Sequence, residues 1–255
     1  MKRLTCLTIL LFISHSALSN MQPALVGTHE RSLSNRIEFP DVAGDYTVFV
    51  RCEAKVLPAG NIQESGCYDD AKIDPDFFRA VRLGANSATF EPASVEGEPV
   101  AVLVLFSVIF QQQGGEQTIA VVPNHGTNAK DLGMQYTAPQ KYGRKNVYLP
   151  RAELGLIWVD VKMSTEGQAL DVSLLETKYT NRESKRYATS YIKHNTFIPG
   201  FTNGEPTQMR FVKPIFSYRN GFMAASGDSS KCGKHSVDCE EKSRSSGKTR
   251  YVFDD

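Results

Sequence analysis

The chain has 255 residues, 29 of them Lys or Arg against 28 Asp or Glu, for a formal net charge of +1 at pH 7. So even a balance leaves no broad electrostatic reason to bind nucleic acid or an anionic lipid surface. With 41% hydrophobic residues the sequence carries enough apolar surface to bury a core.

Met1-Lys2-Arg3 opens the chain, Leu4 to Ile13 is almost wholly apolar, and Ala17-Leu18-Ser19 supplies the small residues a signal peptidase reads. This predicts a secretory signal peptide over residues 1–19, cleaved after Ser19. The apolar run falls well short of the ~20 residues that span a bilayer, so no membrane anchor is expected to remain. Residues 20–38 are polar and unpatterned, and read as a flexible lead-in.

A first unit is expected over residues 39–110. Tyr46, Val48, Val50, Cys52, Ala54 and Val56 alternate with polar residues, the period of a half-buried strand. Pro58-Ala59-Gly60-Asn61 turns it into a second strand from Ile62 to Tyr68, whose symmetric register puts Gln63 and Ser65 beside the apolar face and so calls for a bulge. Asp74-Pro75-Asp76 opens a helix with a capping acid and a proline at its first position. That helix ends near Asn86 and buries Phe77, Phe78, Ala80, Val81, Leu83 and Gly84. Val100 to Phe110 is nearly continuously apolar, as befits a central strand covered on both faces.

Residues 111–150 change character and read as a linker, with a short strand at Thr118 to Val122. A second unit follows over residues 151–218. Its hairpin runs from Leu154 to Met163 and from Ala169 to Glu176. A helix from Asn181 to Lys193 turns Tyr187, Ala188, Tyr191 and Ile192 inward. In the closing strand, Gln208 to Tyr218, exposed charge and Lys213-Pro214 mark an edge. Residues 219–255 are rich in Ser, Lys and Gly and read as a polar, disordered tail.

The two units are one pattern repeated at an offset of 107 residues. Phe90-Glu91-Pro92 and Gly97-Glu98-Pro99 return as Phe197-Ile198-Pro199 and Gly204-Glu205-Pro206, Gly60 returns as Gly167, and the apolar face of the first strand falls on Ile157, Val159, Val161 and Met163. The expected fold is therefore α+β, as two tandem ββαβ units, each a small antiparallel sheet with one helix packed on it.

Four cysteines remain after cleavage. Cys52 and Cys67 lie symmetrically about the first turn, where an antiparallel pair brings opposite Cβ atoms within disulfide reach. Cys232 and Cys239 would close a small loop in the tail. A metal site at Cys232, His235 and Cys239 lacks a fourth ligand and sits in an exported chain, so disulfides are favoured and no metal or other cofactor is expected.

A hairpin with glycine after a polar turn, then a helix, Phe-x-Pro, Gly-x-Pro and a strand resembles the C-terminal domain of the TonB energy-transducer family. The resembling residues are Gly60, Phe90, Pro92, Gly97 and Pro99, then Gly167, Phe197, Pro199, Gly204 and Pro206, with Val212 to Phe216 closing the second strand. The resemblance implies a periplasmic domain of a Gram-negative envelope that binds a segment of an outer-membrane receptor by adding a strand to its sheet. The chain departs from that family in having no retained transmembrane helix, no Pro-rich spacer, and two domains rather than one.

The function expected is a periplasmic protein–protein interaction module, not an enzyme, whose partner is a protein of the cell envelope. Its binding residues are Gln208, Met209, Arg210, Phe211 and Val212, because an unpaired edge offers backbone donors and acceptors to a guest peptide. The alternatives are a structural envelope protein that uses the paired domains as a rigid spacer, and a cell-wall hydrolase using His125 or His194. Nothing in the sequence assembles those histidines with carboxylates.

Overall fold

The computed structural model describes residues 20–68, 72–143, 155–175, 181–218 and 221–224. The signal peptide and the Cys232–Cys239 loop lie outside these residues. In chain order, β1 (Met21–Gln22) and α1 (Leu33–Arg36) precede the hairpin of β2 (Tyr46–Val56) and β3 (Ile62–Cys67). Helix α2 (Pro75–Ala85) leads through β4 (Ala93–Val95) and β5 (Glu98–Val100) to the long β6 (Val102–Gln113). Then come β7 (Glu116–Val122), α3 (Ala129–Leu132) and β8 (Gln140–Tyr142). The second half holds β9 (Gly155–Met163), β10 (Ala169–Leu175), α4 (Arg182–His194), β11 (Thr196–Ile198), β12 (Gly200–Thr202) and β13 (Glu205–Thr207), and closes with β14 (Met209–Tyr218) and β15 (Gly221–Ala224).

The architecture is mixed α+β, and the strand pairings are antiparallel. One sheet has the order β11-β8-β6-β2-β3, with β7 also on β6, and a second has the order β10-β9-β14-β15. Strands β1, β4 and β5 form a small sheet, and β12 pairs β13.

The spacing of the sequence repeat returns in the registers. Val56 pairs with Val102, and 107 residues on Met163 pairs with Met209. Ala93 pairs with Val100 as Gly200 pairs with Thr207. The two small hairpins turn on Glu96-Gly97 and Asn203-Gly204, all at positive φ, as a two-residue turn matched to strand twist requires. Gly60 (φ 83°) and Gly167 (φ 75°) meet the same neighbour in each half: a Cβ there would overlap the carbonyl oxygen of Phe90 or of Phe197. The glycine is required because the chain leaving the helix passes over the turn at backbone distance; Phe90 donates its N–H to the Gly60 carbonyl oxygen at 2.9 Å.

Helix α2 begins as the sequence dictates, with the Asp74 side chain accepting from Asp76 N at 2.9 Å. Phe77, Ala80, Val81, Gly84 and Ala85 face the core, whereas Leu83 projects into solvent. A side chain at Gly84 would strike Ile37 and the Arg36 carbonyl, so the glycine lets the segment after α1 lie against the helix.

That contact belongs to the segment expected to be a flexible lead-in, which is instead built into the fold. Met21 and Gln22 pair with Val95 and Ser94, and Ala24, Val26, Leu33 and Ile37 are buried in the first core. Gln140 clamps this segment, donating from Nε2 to the Ala24 carbonyl at 2.7 Å and accepting from Ala24 N at 2.8 Å. Alternation could not reveal it, because the segment pairs only at Met21, Gln22 and, after a gap, Leu25.

The stretch from residue 111, expected as a linker, also folds onto the first sheet. β6 runs on to Gln113, β7 returns along it, and β8 joins both β6 and β11. The tail likewise begins with β15, which pairs with the end of β14.

Two hydrophobic cores result, and each borrows from the other half of the chain. The first, between α2 and the larger sheet, includes Ile198 and Phe201. The second, around α4, β9 and β14, includes Leu105, Tyr136 and Ala138. In α4 the expected inward residues Tyr187, Ala188, Tyr191 and Ile192 are all buried.

Gly60→Ala should lower the unfolding free energy in urea by more than the 1–3 kcal/mol, roughly, that a left-handed non-glycine residue costs, because carbonyl overlap adds to it. Gly97→Ala, at φ 83° but facing open space, should cost the backbone strain alone. Equal losses in the two variants would refute the close-approach account.

Candidate functional site: a strand edge beside a buried junction

Side chains alternate along β14. Met209, Phe211, Lys213 and Ile215 point into the protein, and the first two are buried beside Val161 and Met163 of β9. Arg210 lies on the other face, where it meets Asp160 of β9 and Asp171 of β10. Its Nε donates to both Asp160 carboxylate oxygens at 3.1 Å, and Nη2 reaches Asp171 at 3.3 Å. Gln208 is exposed and just precedes the strand.

Backbone groups alternate too, in the plane of the sheet. The Arg210 carbonyl points away from β9, since it accepts from Asn128 Nδ2 at 2.6 Å. The same alternation directs the N–H and C=O of Val212 outward and puts Pro214 where its missing N–H leaves the β9 ladder intact. Beyond this point β15 covers Ile215 to Tyr218. Among the described residues, no strand pairs with Met209 to Val212 on that outer side.

The corresponding place in the first half is filled. Val102 and Leu103, which align with Met209 and Arg210, pair with Tyr142 and Lys141 of β8. The next segment matches as well: β7 pairs with Val108 as β15 pairs with Ile215. The residues 107 on from β8 lie outside the described ones; among the described residues, the side chain of Asn128 occupies the matching place beside β14.

Asn128 is held by a hydrogen-bonded loop. Its N–H donates to Tyr136 Oη at 3.1 Å. Asn124, fully buried, donates to the carbonyls of Met134 and Tyr136 and accepts from Gly126 N. The loop thus carries its own hydrogen-bonding frame and presents one amide to the strand edge.

Lys213 was expected as an exposed charge guarding this edge; it is buried. The reason is parity: it shares a face with Phe211 and Ile215, so its side chain enters the junction between the two sheets. There it forms an ion pair with Glu53 of β2, and both side chains are at least 97% shielded (3% and 1% exposed). Glu53 Oε2 also accepts from Tyr68 Oη at 3.1 Å. The Tyr68 ring packs edge-on against His125 and Trp158, with centroids 5.5 Å away in both cases.

His125, expected to be a loop residue, closes the same junction. Its Nε2 lies 2.8 Å from the Cys52 carbonyl oxygen. Part of the residue reaches solvent, but its ring sits among packed groups. Desolvation, with smaller contributions from the charges of Arg51 and Lys213, pushes its pKa down to about 4. His194 instead caps its own helix, with Nδ1 2.8 Å from the Ser190 carbonyl. The structure therefore does not bring the two histidines together.

Cys52 and Cys67 stand opposite each other, joined by a disulfide with Cα atoms 3.9 Å apart. The expected bulge lies between Lys55 and Val56, with Gln63 the extra, exposed residue. No helix among the described residues is long and apolar enough to cross a membrane. Nor does any group of three or more His, Cys, Asp or Glu among them have the arrangement of a metal site.

Sequence reasoning missed Glu53 and Asn128. Glu53 looked like one polar residue of an alternating strand, and only the fold puts another sheet over that face. Comparison with known proteins returns no matching family model, no matching curated protein and no matching solved structure.

Because the folded-state pKa of His125 lies below the ~6.5 of an unfolded histidine, the unfolded chain binds the extra proton first. The contribution of His125 to stability is complete above about pH 6.5 and should be lost as pH falls toward 4. His125→Gln should flatten that part of the profile measured by urea unfolding at each pH. Reduction of Cys52–Cys67, which closes a separation of 15 residues, should cost about 3 kcal/mol in the same assay.

Proposed function

We propose that this chain is an exported, periplasmic protein–protein interaction module built of two tandem ββαβ units, similar in plan to the TonB C-terminal domain, and that it binds an extended segment of a cell-envelope protein by strand addition along Gln208 to Val212. The observation that carries the reading is the difference between the halves. Among the described residues, β6 has a strand of this chain, β8, beside it, whereas beside β14 the matching position holds the Asn128 amide. A guest running antiparallel to Met209–Val212 would displace Asn128 from the Arg210 carbonyl and take up the N–H and C=O of Arg210 and Val212. Main-chain pairing of this kind is indifferent to guest sequence, so specificity falls to the side chains flanking the slot.

Those side chains suit a polar guest. Arg210 is already engaged by Asp160 and Asp171, so that face presents a charge-compensated surface rather than a free cation. Met209 and Phe211 are consumed by the core and cannot act as anchors without unfolding it. An outer-membrane receptor segment is the partner class the TonB resemblance suggests.

The test is photocrosslinking from a reactive residue at the exposed Gln208 in cells that export the protein. Capture of an outer-membrane transport protein is expected. Arg210→Pro, which removes an outward N–H, should abolish capture, while Arg210→Ala keeps that donor and should retain it. Asn128→Ala should strengthen capture a few-fold, the worth of one hydrogen bond no longer competed for, about 0.5–1.5 kcal/mol. Capture that survives Arg210→Pro in folded protein would rule the edge out as the site.

A further inference from the structure

Glu53 and Lys213 form a one-to-one ion pair between strands 160 residues apart in sequence, and both are almost completely withdrawn from water. Tyr68, which donates to Glu53, packs its ring against those of Trp158 and His125 on the same side of β2. Charges in such a place are poorly solvated, and mutual attraction offsets that cost only in part. Neutralising both at once removes it. Proton transfer from the ammonium to the carboxylate gives an amine in contact with a carboxylic acid, held there by two packed sheets. Fixed proximity of this kind replaces a bimolecular encounter.

We propose that Glu53 and Lys213 condense into an intramolecular amide that covalently ties β2 to β14. After the proton transfer, the Lys213 Nζ lone pair attacks Glu53 Cδ and the C–N bond forms. Tyr68 Oη, already donating to Oε2, stabilises the negative charge that develops on that oxygen. The C–Oε1 bond then breaks, and the oxygen leaves as water with the carboxyl proton and one of the two remaining amine protons. Oε2 is kept as the amide carbonyl, still bonded to Tyr68. No oxidant or second substrate enters, and the released water passes to solvent. Tyr68 is a positioning residue for the carboxyl group in the pair and an oxyanion donor in the transition state.

The two readings of the junction differ in mass. Intact-mass spectrometry of the purified, exported chain, reduced and denatured, should find it lighter than its mature sequence by one water. Peptide mapping should recover a single branched peptide joining Glu53 to Lys213. Lys213→Met should restore the full sequence mass. Glu53→Gln, which would release ammonia instead of water, should reach the same final mass as the wild type. A wild-type chain at full mass, with Glu53 and Lys213 only in linear peptides, overturns the proposal. So does a water deficit that persists in Lys213→Met.

Discussion

β6 is the strand on which the rest of the structure depends. It pairs along β2 from Val102 to Gln112 on one side and accepts β8 and β7 on the other. Both of its faces are covered. Val104, Phe106 and Val108 lie in the first core, while Leu105 lies in the second. A strand buried on four sides fixes whatever touches it, because neither its ladder nor its side chains have slack. The second sheet is positioned by that constraint: it must lie where Leu105 is covered and where Glu53, opposite Leu105 on β2, finds a partner.

Glu53 shows how the constraint reaches the edge of β14. A carboxylate carried into an apolar junction needs a cation, and the one that reaches it comes from the inward face of β14. Lys213 therefore sets the depth and register at which β14 sits against the first half. Arg210, three residues earlier, is left at the surface with its carbonyl turned outward. The exposure of the strand edge and the burial of the ion pair are two consequences of one placement.

Much of the fold was legible because the repeat carries its own geometry. Gly60 and Gly167 had to be glycine for a reason of backbone distance, and the small-hairpin turns needed residues tolerant of positive φ, so these positions survive in both halves. The helix start at Asp74-Pro75 and the Cys52–Cys67 pairing followed from local chemistry and from symmetry about a turn. What escaped was non-local. Residues 20–26 join a sheet through partners some seventy residues away, and Gln140 reaches Ala24 across 116 positions. No periodicity records such pairings. The alternation of Met209 and Phe211 with Gln208 and Arg210 is legible, but the closing strand lies between β9 and β15 rather than at an edge over its whole length, and the charge of Lys213 masks its parity. Counting in twos from Phe211 puts Lys213 in the core.

The places where two similar halves diverge carry more information about function than the places where they agree. Agreement here is explained by folding: a carbonyl that passes too close for a Cβ, a turn that needs positive φ, a strand face that meets a helix. Divergence has no such explanation. The first half uses a further stretch of chain, residues 111–142, to close the outer side of β6, and among the described residues the loop between β7 and β8 in that stretch brings Asn128 to β14. Exposed strand edges are a hazard that proteins ordinarily cover, bulge or charge. Among the described residues, the chain covers one such edge with its own strand and meets the equivalent edge with the side-chain amide of Asn128.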